Sequence, residues 1–412
     1  MTNAEALHLQ STPANGRHAL LILFLTVFID LLGFGIVIPF LPLFAAQMHV
    51  HAAGIGLVLA SYSLMQFLLA PVLGRLSDRI GRRPIIMLGL LGSALGYLLY
   101  GFATTLTGLL LSRVLHGGCA ATISTAQAFV ADTTTPGKRA HAMGMIGAAF
   151  GLGFVLGPAV GGLLGHYGLR VPVFFAAVLC LANFCFAAWK LPESHTKADP
   201  AAAQSSLMWT LTEPWRRLPK LVTGGGPGLM FGQAFLLTSA FAVLETTFAL
   251  LAARRFGYRA GAIGGLLAYA GLLQALTQGY IVGRLTRRLQ EEHLIRAGAL
   301  LMGLGMAILG LTASTLLLFI ALALIALGYG LSSPAIASLL SKHTEIAAQG
   351  QVLGLNQSAL SLARIFGPLV GGSLFQLAAG PGAYLGAAAL SVGALALARS
   401  LPTRSALSGG GK

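Results

Sequence analysis

The sequence predicts an all-α membrane protein of twelve transmembrane helices in two pseudo-symmetric six-helix bundles. Three observations carry that expectation: too little charge for a soluble surface, about twelve apolar runs long enough to span, and motifs returning at nearly one offset. Of 412 residues, 56% are hydrophobic and 9% are charged, and the mean hydropathy is +0.81. Globular proteins carry about 25% charged residues, so a soluble chain this poor in charge could not cover its own surface. The net charge of +15 does not point to nucleic acid. Its Lys and Arg stand in short tufts between apolar runs, not together on one polar face. Cys119, Cys180 and Cys185 lie within apolar runs, where thiols behave as small hydrophobes, so neither a disulfide framework nor a metal site is expected. The first apolar run lacks a small-residue cleavage site and is long enough to span, which argues against a cleavable signal peptide.

A bilayer core takes roughly 20 apolar residues per helix. Apolar runs between polar breaks place the first half's spans near 19–44, 53–74, 85–104, 106–131, 140–165 and 171–189. Those of the second half fall near 227–252, 261–283, 294–313, 315–340, 350–377 and 383–399. With the N-terminus inside, the inside loops and tails hold 20 of the 26 basic residues and the outside loops four (Arg170, Arg254, Arg255 and Arg259). That asymmetry puts both termini in the cytoplasm. Arg113 and Arg364 are the remaining two, and they fall inside spans.

The chain repeats itself. Gly157-Pro158-x-x-Gly161-Gly162 returns as Gly367-Pro368-x-x-Gly371-Gly372, offset by 210, and Gly74-Arg75-Leu76 returns as Gly283-Arg284-Leu285, offset by 209. Two motifs sharing nearly one offset indicate duplication of a six-helix unit. The expected organisation is a bundle over 1–189, a cytoplasmic linker over 190–223 that is richer in charge, and a second bundle over 224–412. Parallel six-helix repeats build rocking transporters, with the substrate site near mid-membrane between the halves.

The fifth span carries Gly144, Gly153, Gly157, Pro158, Gly161 and Gly162 in one unbroken apolar run. Glycines so spaced leave a helix face bare and let a neighbour approach to backbone contact. Pro158 removes a backbone donor and bends the helix, which a membrane bundle tolerates. The smooth face is expected on the fifth helix alone, because the eleventh places Arg364 near the position of Gly153.

These motifs resemble the major facilitator superfamily. The loop Gly74-Arg75-Leu76-Ser77-Asp78-Arg79-Ile80-Gly81-Arg82-Arg83-Pro84 is similar to the family's cytoplasmic loop motif, and Leu111-Ser112-Arg113-Val114-Leu115-His116-Gly117-Gly118 is similar to its second. With the glycine run, the resemblance narrows to twelve-helix drug:proton antiporters. Asp30, Gly33, Gly35, Pro39 and Pro42 in the first span resemble the bacterial tetracycline-efflux branch. So do Ala131-Asp132-Thr133-Thr134 and Arg255-Phe256-Gly257-Tyr258. The resemblance implies that Gly74, Asp78, Arg79, Gly81, Arg82 and Arg83 latch the cytoplasmic ends in the outward-open state. The branch's acid in helix 9 is missing, Gln274 stands in place of its helix 8 histidine, and Glu245 stands where it has an apolar residue.

Acids within spans are costly and therefore functional candidates. Asp30 lies roughly 17 Å into the first helix and Arg113 roughly 10 Å into the oppositely directed fourth, so the two match in depth. They pair if their helices face each other. Burial raises a carboxyl pKa and a nearby guanidinium lowers it, which poises such a group to exchange a proton. The expectation is that Asp30 couples protons and Arg113 tunes it, against a static ion pair as the structural alternative. Glu245 is a second proton carrier, an anchor for a cationic substrate, or an acid wetted by the outer vestibule and paired with Arg254 or Arg255. Arg364 binds substrate, neutralises an acid, or holds carbonyls freed by the Pro368 bend.

Phe34, Gln127, Phe241, Gln274, Gln278, Asn356, Gln357 and Arg364 are the expected cavity wall, although interhelical hydrogen bonding also explains polar residues such as Gln66 and Gln233. His116 reads as a packing or hydrogen-bonding histidine. No nucleotide-binding loop occurs, which argues against coupling to ATP. The expected function is proton-coupled export of small lipophilic compounds by alternating access, with proton-coupled import of a metabolite as the alternative. No cofactor other than the coupling proton, no enzymatic activity and no nucleic-acid partner is expected. The expected setting is a bacterial inner membrane, as a monomer.

Overall fold

A computed structural model describes residues 13–134, 136–194, 226–342, 349–378 and 380–400. Within them, twelve helices are long and apolar enough to cross a membrane. The first six are α1 His18–Gln47, α2 Ala52–Ile80, α3 Arg82–Phe102, α4 Leu106–Thr133, α5 Ala142–Gly165 and α6 Val171–Lys190. The second six are α7 Gly228–Phe256, α8 Ala260–Leu285, α9 Glu291–Leu311, α10 Thr315–Lys342, α11 Leu355–Leu377 and α12 Pro381–Arg399. Large apolar side chains such as Leu163, Leu311 and Val392 point outward unpacked, as a lipid-facing surface requires. Most of the linker, from 195 onward, lies outside the described residues, as do the termini.

Helix breaks fall where the sequence supplies a reason. The α1 helix tightens to a 3-10 turn over Ile38–Phe40 at Pro39. The α4 helix stops at Cys119 and restarts at Thr122, and the Ala120 carbonyl freed there accepts from Gln66 Nε2 at 3.2 Å. In α8 a π turn occupies Thr277–Ile281. The segment expected as a loop from Gly74 is helical to Ile80, because nothing before Gly81 breaks it; Gly81 alone makes the turn into α3. Its φ of +107° is a conformation that side-chain-bearing residues rarely adopt.

The duplication is legible in the packing. Within the first half α1 packs on α5 and α6, α3 on α4 and α6, and α2 on α4; each pairing has its counterpart six helices later. The halves meet through α5 against α8 and α2 against α11, again a symmetric pair.

The glycine motifs make these contacts. A Cβ added at Gly157 would lie 2.5 Å from the Gly35 Cα of α1, and one at Gly161 2.6 Å from the Ile36 carbonyl. In the repeat, a Cβ at Gly367 would lie 2.6 Å from the Ser239 carbonyl of α7, and one at Gly371 3.0 Å from Val243. Close approach is therefore shared by α5 and α11, which corrects the expectation of a smooth face on the fifth helix alone. Arg364, three and seven residues before Gly367 and Gly371, shares their side of the helix, so the close approach begins one turn beyond the charge.

Contacts between the halves gather at the membrane face away from the chain termini. A Cβ at Gly162 would meet Gly264 at 3.0 Å, and one at Gly372 would meet Ala53 at 3.3 Å. The Ala53 amide also donates to Gln376 Oε1 at 3.3 Å. Toward the other face, added Cβ atoms at Gly144, Gly147 and Gly151 of α5, and at Gly279 and Gly283 of α8, meet nothing within 4 Å. Among the described residues, the halves therefore touch closely at the face away from the termini and stand apart at these glycines toward the terminal side. Gly144 accordingly makes no close helix contact.

Candidate functional site

Asp30 sits on α1, half-buried, where α3 and α4 pass behind it. Ser93 Oγ of α3 donates to its Oδ1 at 3.2 Å, and Thr122, at the restart of α4, is a second hydroxyl on the carboxylate. Ser93 Oγ also lies 3.1 Å from His116 Nε2.

Arg113 is not paired with Asp30. Its guanidinium is fully buried, none of its three nitrogens has a hydrogen-bond partner, and it lies over the rings of Tyr97 and Tyr100 at 5.6 and 5.0 Å. Both rings belong to α3, so Arg113 faces α3, while His116, three residues on, reaches Ser93. A desolvated cation–π contact contributes about 2 kcal/mol. Removing a guanidinium from water costs several kcal/mol, so stability alone does not explain an arginine here.

The second half builds a different centre. Glu245 of α7 is half-buried, and Arg364 of α11 is the charged group that acts on it electrostatically. Neither Arg254 nor Arg255 reaches it. Arg255 Nη1 donates to the carbonyls of Gly310 and Thr312 at 2.8 and 2.9 Å, and Arg254 lies over the Phe375 ring. Arg364 Nε is buried without a partner, so it does not hold carbonyls freed by the proline bend through that atom.

Beside this pair is a cleft of about 210 Å³ lined by Thr238, Tyr329, Ser333, Asn356, Gln357 and aliphatic neighbours. Phe241 stacks on Tyr329 at 4.3 Å and 11°, and Thr238 Oγ1 lies 3.4 Å from the Tyr329 hydroxyl. The Asn356 carbonyl oxygen is buried and unpartnered.

The expected wall residues divide accordingly. Asn356 and Gln357 line the cleft and Phe241 backs it. Phe34 belongs to the first half, between Tyr62 at 5.5 Å and Phe154 at 6.2 Å. Gln127 and Gln278 are exposed and Gln274 is half-buried; none of the three lines the cleft. Gln66 and Gln233 donate to the carbonyls of Ala120 and Ala394, so their role is interhelical. Sequence reasoning missed Thr238, Tyr329 and Ser333. The Ser332-Ser333-Pro334 step in an otherwise apolar span was the available signal.

On the terminal face, Arg82 is the hub. Its Nη1 bonds Asp78 Oδ1 at 2.5 Å and Ser77 Oγ at 2.7 Å, and its Nε bonds Asp132 Oδ2 at 2.9 Å. The Glu193 carboxylate, just past α6, accepts from the backbone amides of Arg82 at 2.8 Å and Arg83 at 3.2 Å. The Arg83 side chain donates to the Ala188 carbonyl. Arg79 is exposed in the last turn of α2, and Gly74 has open space around it. Every described partner of Arg82 and Arg83 lies in the first half. That is consistent with halves parted at this face.

The Major Facilitator Superfamily profile matches residues 23–292 and 229–411. The class C tetracycline resistance protein of Escherichia coli is 34% identical over 367 residues, covering 88% of this chain and 91% of that protein. Multidrug resistance protein 1 of Bacillus subtilis (strain 168) is 32% identical over 391 residues, covering 93% of this chain and 96% of that protein. Among solved structures, the human organic anion transporter MFSD10 (TETRAN) matches with a TM-score of 0.69 at 26% identity, covering 93% of this chain and 99% of that one. Twelve spans, a duplicated packing plan and a profile matching both halves agree: the chain belongs to the major facilitator superfamily.

Proposed function

We propose that this protein is a proton-coupled antiporter that exports small, largely lipophilic compounds by alternating access. The observation that carries this reading is one partly buried acid within a span of each half, Asp30 and Glu245, in halves whose close glycine contacts, among the described residues, gather at one face. A titratable acid beside a gap that changes sides is what proton exchange requires. The names of the relatives, tetracycline and multidrug resistance proteins, support a drug-like cargo and, with it, export. On the asymmetry of basic residues, the terminal face is cytoplasmic, so the conformation described is inward-open. The protein then works as a monomer in a bacterial inner membrane, with protons as its only coupling species. Asp30 carries the proton, while Glu245, Arg364 and the cleft beside Tyr329 receive the cargo.

The test uses inside-out vesicles with an imposed pH gradient and a drug panel that includes tetracycline. Export predicts proton release on adding at least one compound, lost in Asp30→Asn protein that still reaches the membrane. Silence toward every drug, together with proton-linked uptake of a metabolite, would establish the symport alternative instead.

A further inference from the structure

Ser93 has a single hydroxyl proton and two neighbours, Asp30 Oδ1 at 3.2 Å and His116 Nε2 at 3.1 Å. It cannot donate to both at once. His116 is buried, its ring meets Tyr62 and Tyr97 edge-on at 4.9 and 4.7 Å, and its Nδ1 has no partner. The ring is therefore fixed with Nε2 on Ser93.

We propose that His116 is a positioning residue for Asp30, acting through Ser93 to set which way a three-member hydrogen-bond chain points. His116 is a neutral imidazole with its hydrogen on Nδ1 and Nε2 bare in both states. When Asp30 is ionised, Ser93 donates to it and His116 Nε2 is left without a donor. When Asp30 is protonated, its O–H donates to Ser93 Oγ and the Ser93 hydroxyl turns to His116 Nε2. The count balances: one proton is added at Asp30, and no other proton changes its atom. The proposal rests on Asp30 as the coupling acid and adds a device that links its proton to α3 and α4.

The other groups facing this cluster are Tyr62 of α2, Tyr97 of α3, Arg113 of α4 and Cys180 of α6, with Arg364 of α11 acting from the second half. Arg113 is one turn from His116 but committed to the Tyr97 and Tyr100 rings, so it does not stand in for the histidine.

The chain predicts shifts of opposite sign on either side of Ser93. His116→Leu leaves the Ser93 hydroxyl to Asp30 alone and favours the carboxylate. Ser93→Ala removes that donor and disfavours it. The readout is the infrared carbonyl band of the protonated carboxyl, identified by its loss in Asp30→Asn, titrated against pH in purified protein without any transported compound. The midpoint should fall by about one pH unit in His116→Leu and rise by about one in Ser93→Ala. His116→Gln, whose amide can both give and accept, should restore the wild-type midpoint. Unchanged midpoints, or shifts of one sign in both variants, would overturn the proposal. Because this titration needs no transport, it separates failure of the linkage from failure of Asp30 as the coupling acid, which the vesicle assay reads.

Discussion

In the first half the mid-membrane acid, Asp30, is met by hydroxyls, and the nearest cation on its own side, Arg113, is turned onto two tyrosine rings. In the second half Glu245 shares its surroundings with a cation, Arg364, beside a cleft with a stacked Phe241–Tyr329 wall. The two halves repeat each other's helix contacts pair by pair, so the scaffold does not explain the difference. Duplication preserved the glycine-to-backbone contacts of α5 and α11 and let the polar residues between them diverge. On the proposed function, this difference is a division of labour on one plan: a proton-handling centre with hydroxyl neighbours, and a cargo centre with charge, aromatic faces and unpartnered polar atoms.

The largest expected effect comes from confusing the two centres. Asp30→Asn should reduce substrate-driven proton release about 100-fold or more, whereas Glu245→Gln should weaken cargo affinity and leave release at saturating cargo intact. Equal loss of coupling in both would end the comparison. The shared plan is tested next. Gly157→Val and Gly367→Val should each destabilise by at least about 3 kcal/mol, because each drives a side chain into a backbone with no room to yield. Thermal unfolding should fall by about 6 °C or more in both. Gly147→Ala, in open space, should be neutral or slightly stabilising.

Smaller effects sharpen the cargo side and the closed face. Phe241→Ala should raise the dissociation constant of a planar drug about tenfold, read by fluorescence titration, by removing the ring that backs Tyr329 in the cleft wall. Gln376→Ala removes one exposed hydrogen bond between the halves and should change stability by less than about 0.5 kcal/mol in denaturant titration.

Much of this fold is legible from sequence because the bilayer limits the solutions and the repeat marks the halves. The glycine motif foretold close approach at Gly157 and Gly161, though not that Gly162 and Gly372 cross to the other half. Pairing of Asp30 with Arg113 was inferred from matching depth. Depth fixes height along a helix axis but not the direction a residue faces, and Arg113 faces α3. Ser93 was hidden for the same reason; His116 packs and hydrogen-bonds as its sequence reading expects, but its partner was not legible. Tyr329 and Thr238 gave little signal because one aromatic or hydroxyl in an apolar span is common in packed helices. Glu193 fell at the edge of the polar linker, where a charge needs no special explanation. Its role comes from the sharp turn at Gly81, which brings the Arg82 and Arg83 amides to it.

The central claim is that proton and cargo are held by different halves. It is tested most directly by measuring drug binding and drug-driven proton release on the same Asp30→Asn protein, using a compound shown to be transported by the wild type. The account predicts binding within about twofold of wild type and no proton release. Proton release persisting in Asp30→Asn, or binding lost together with it, would contradict the division.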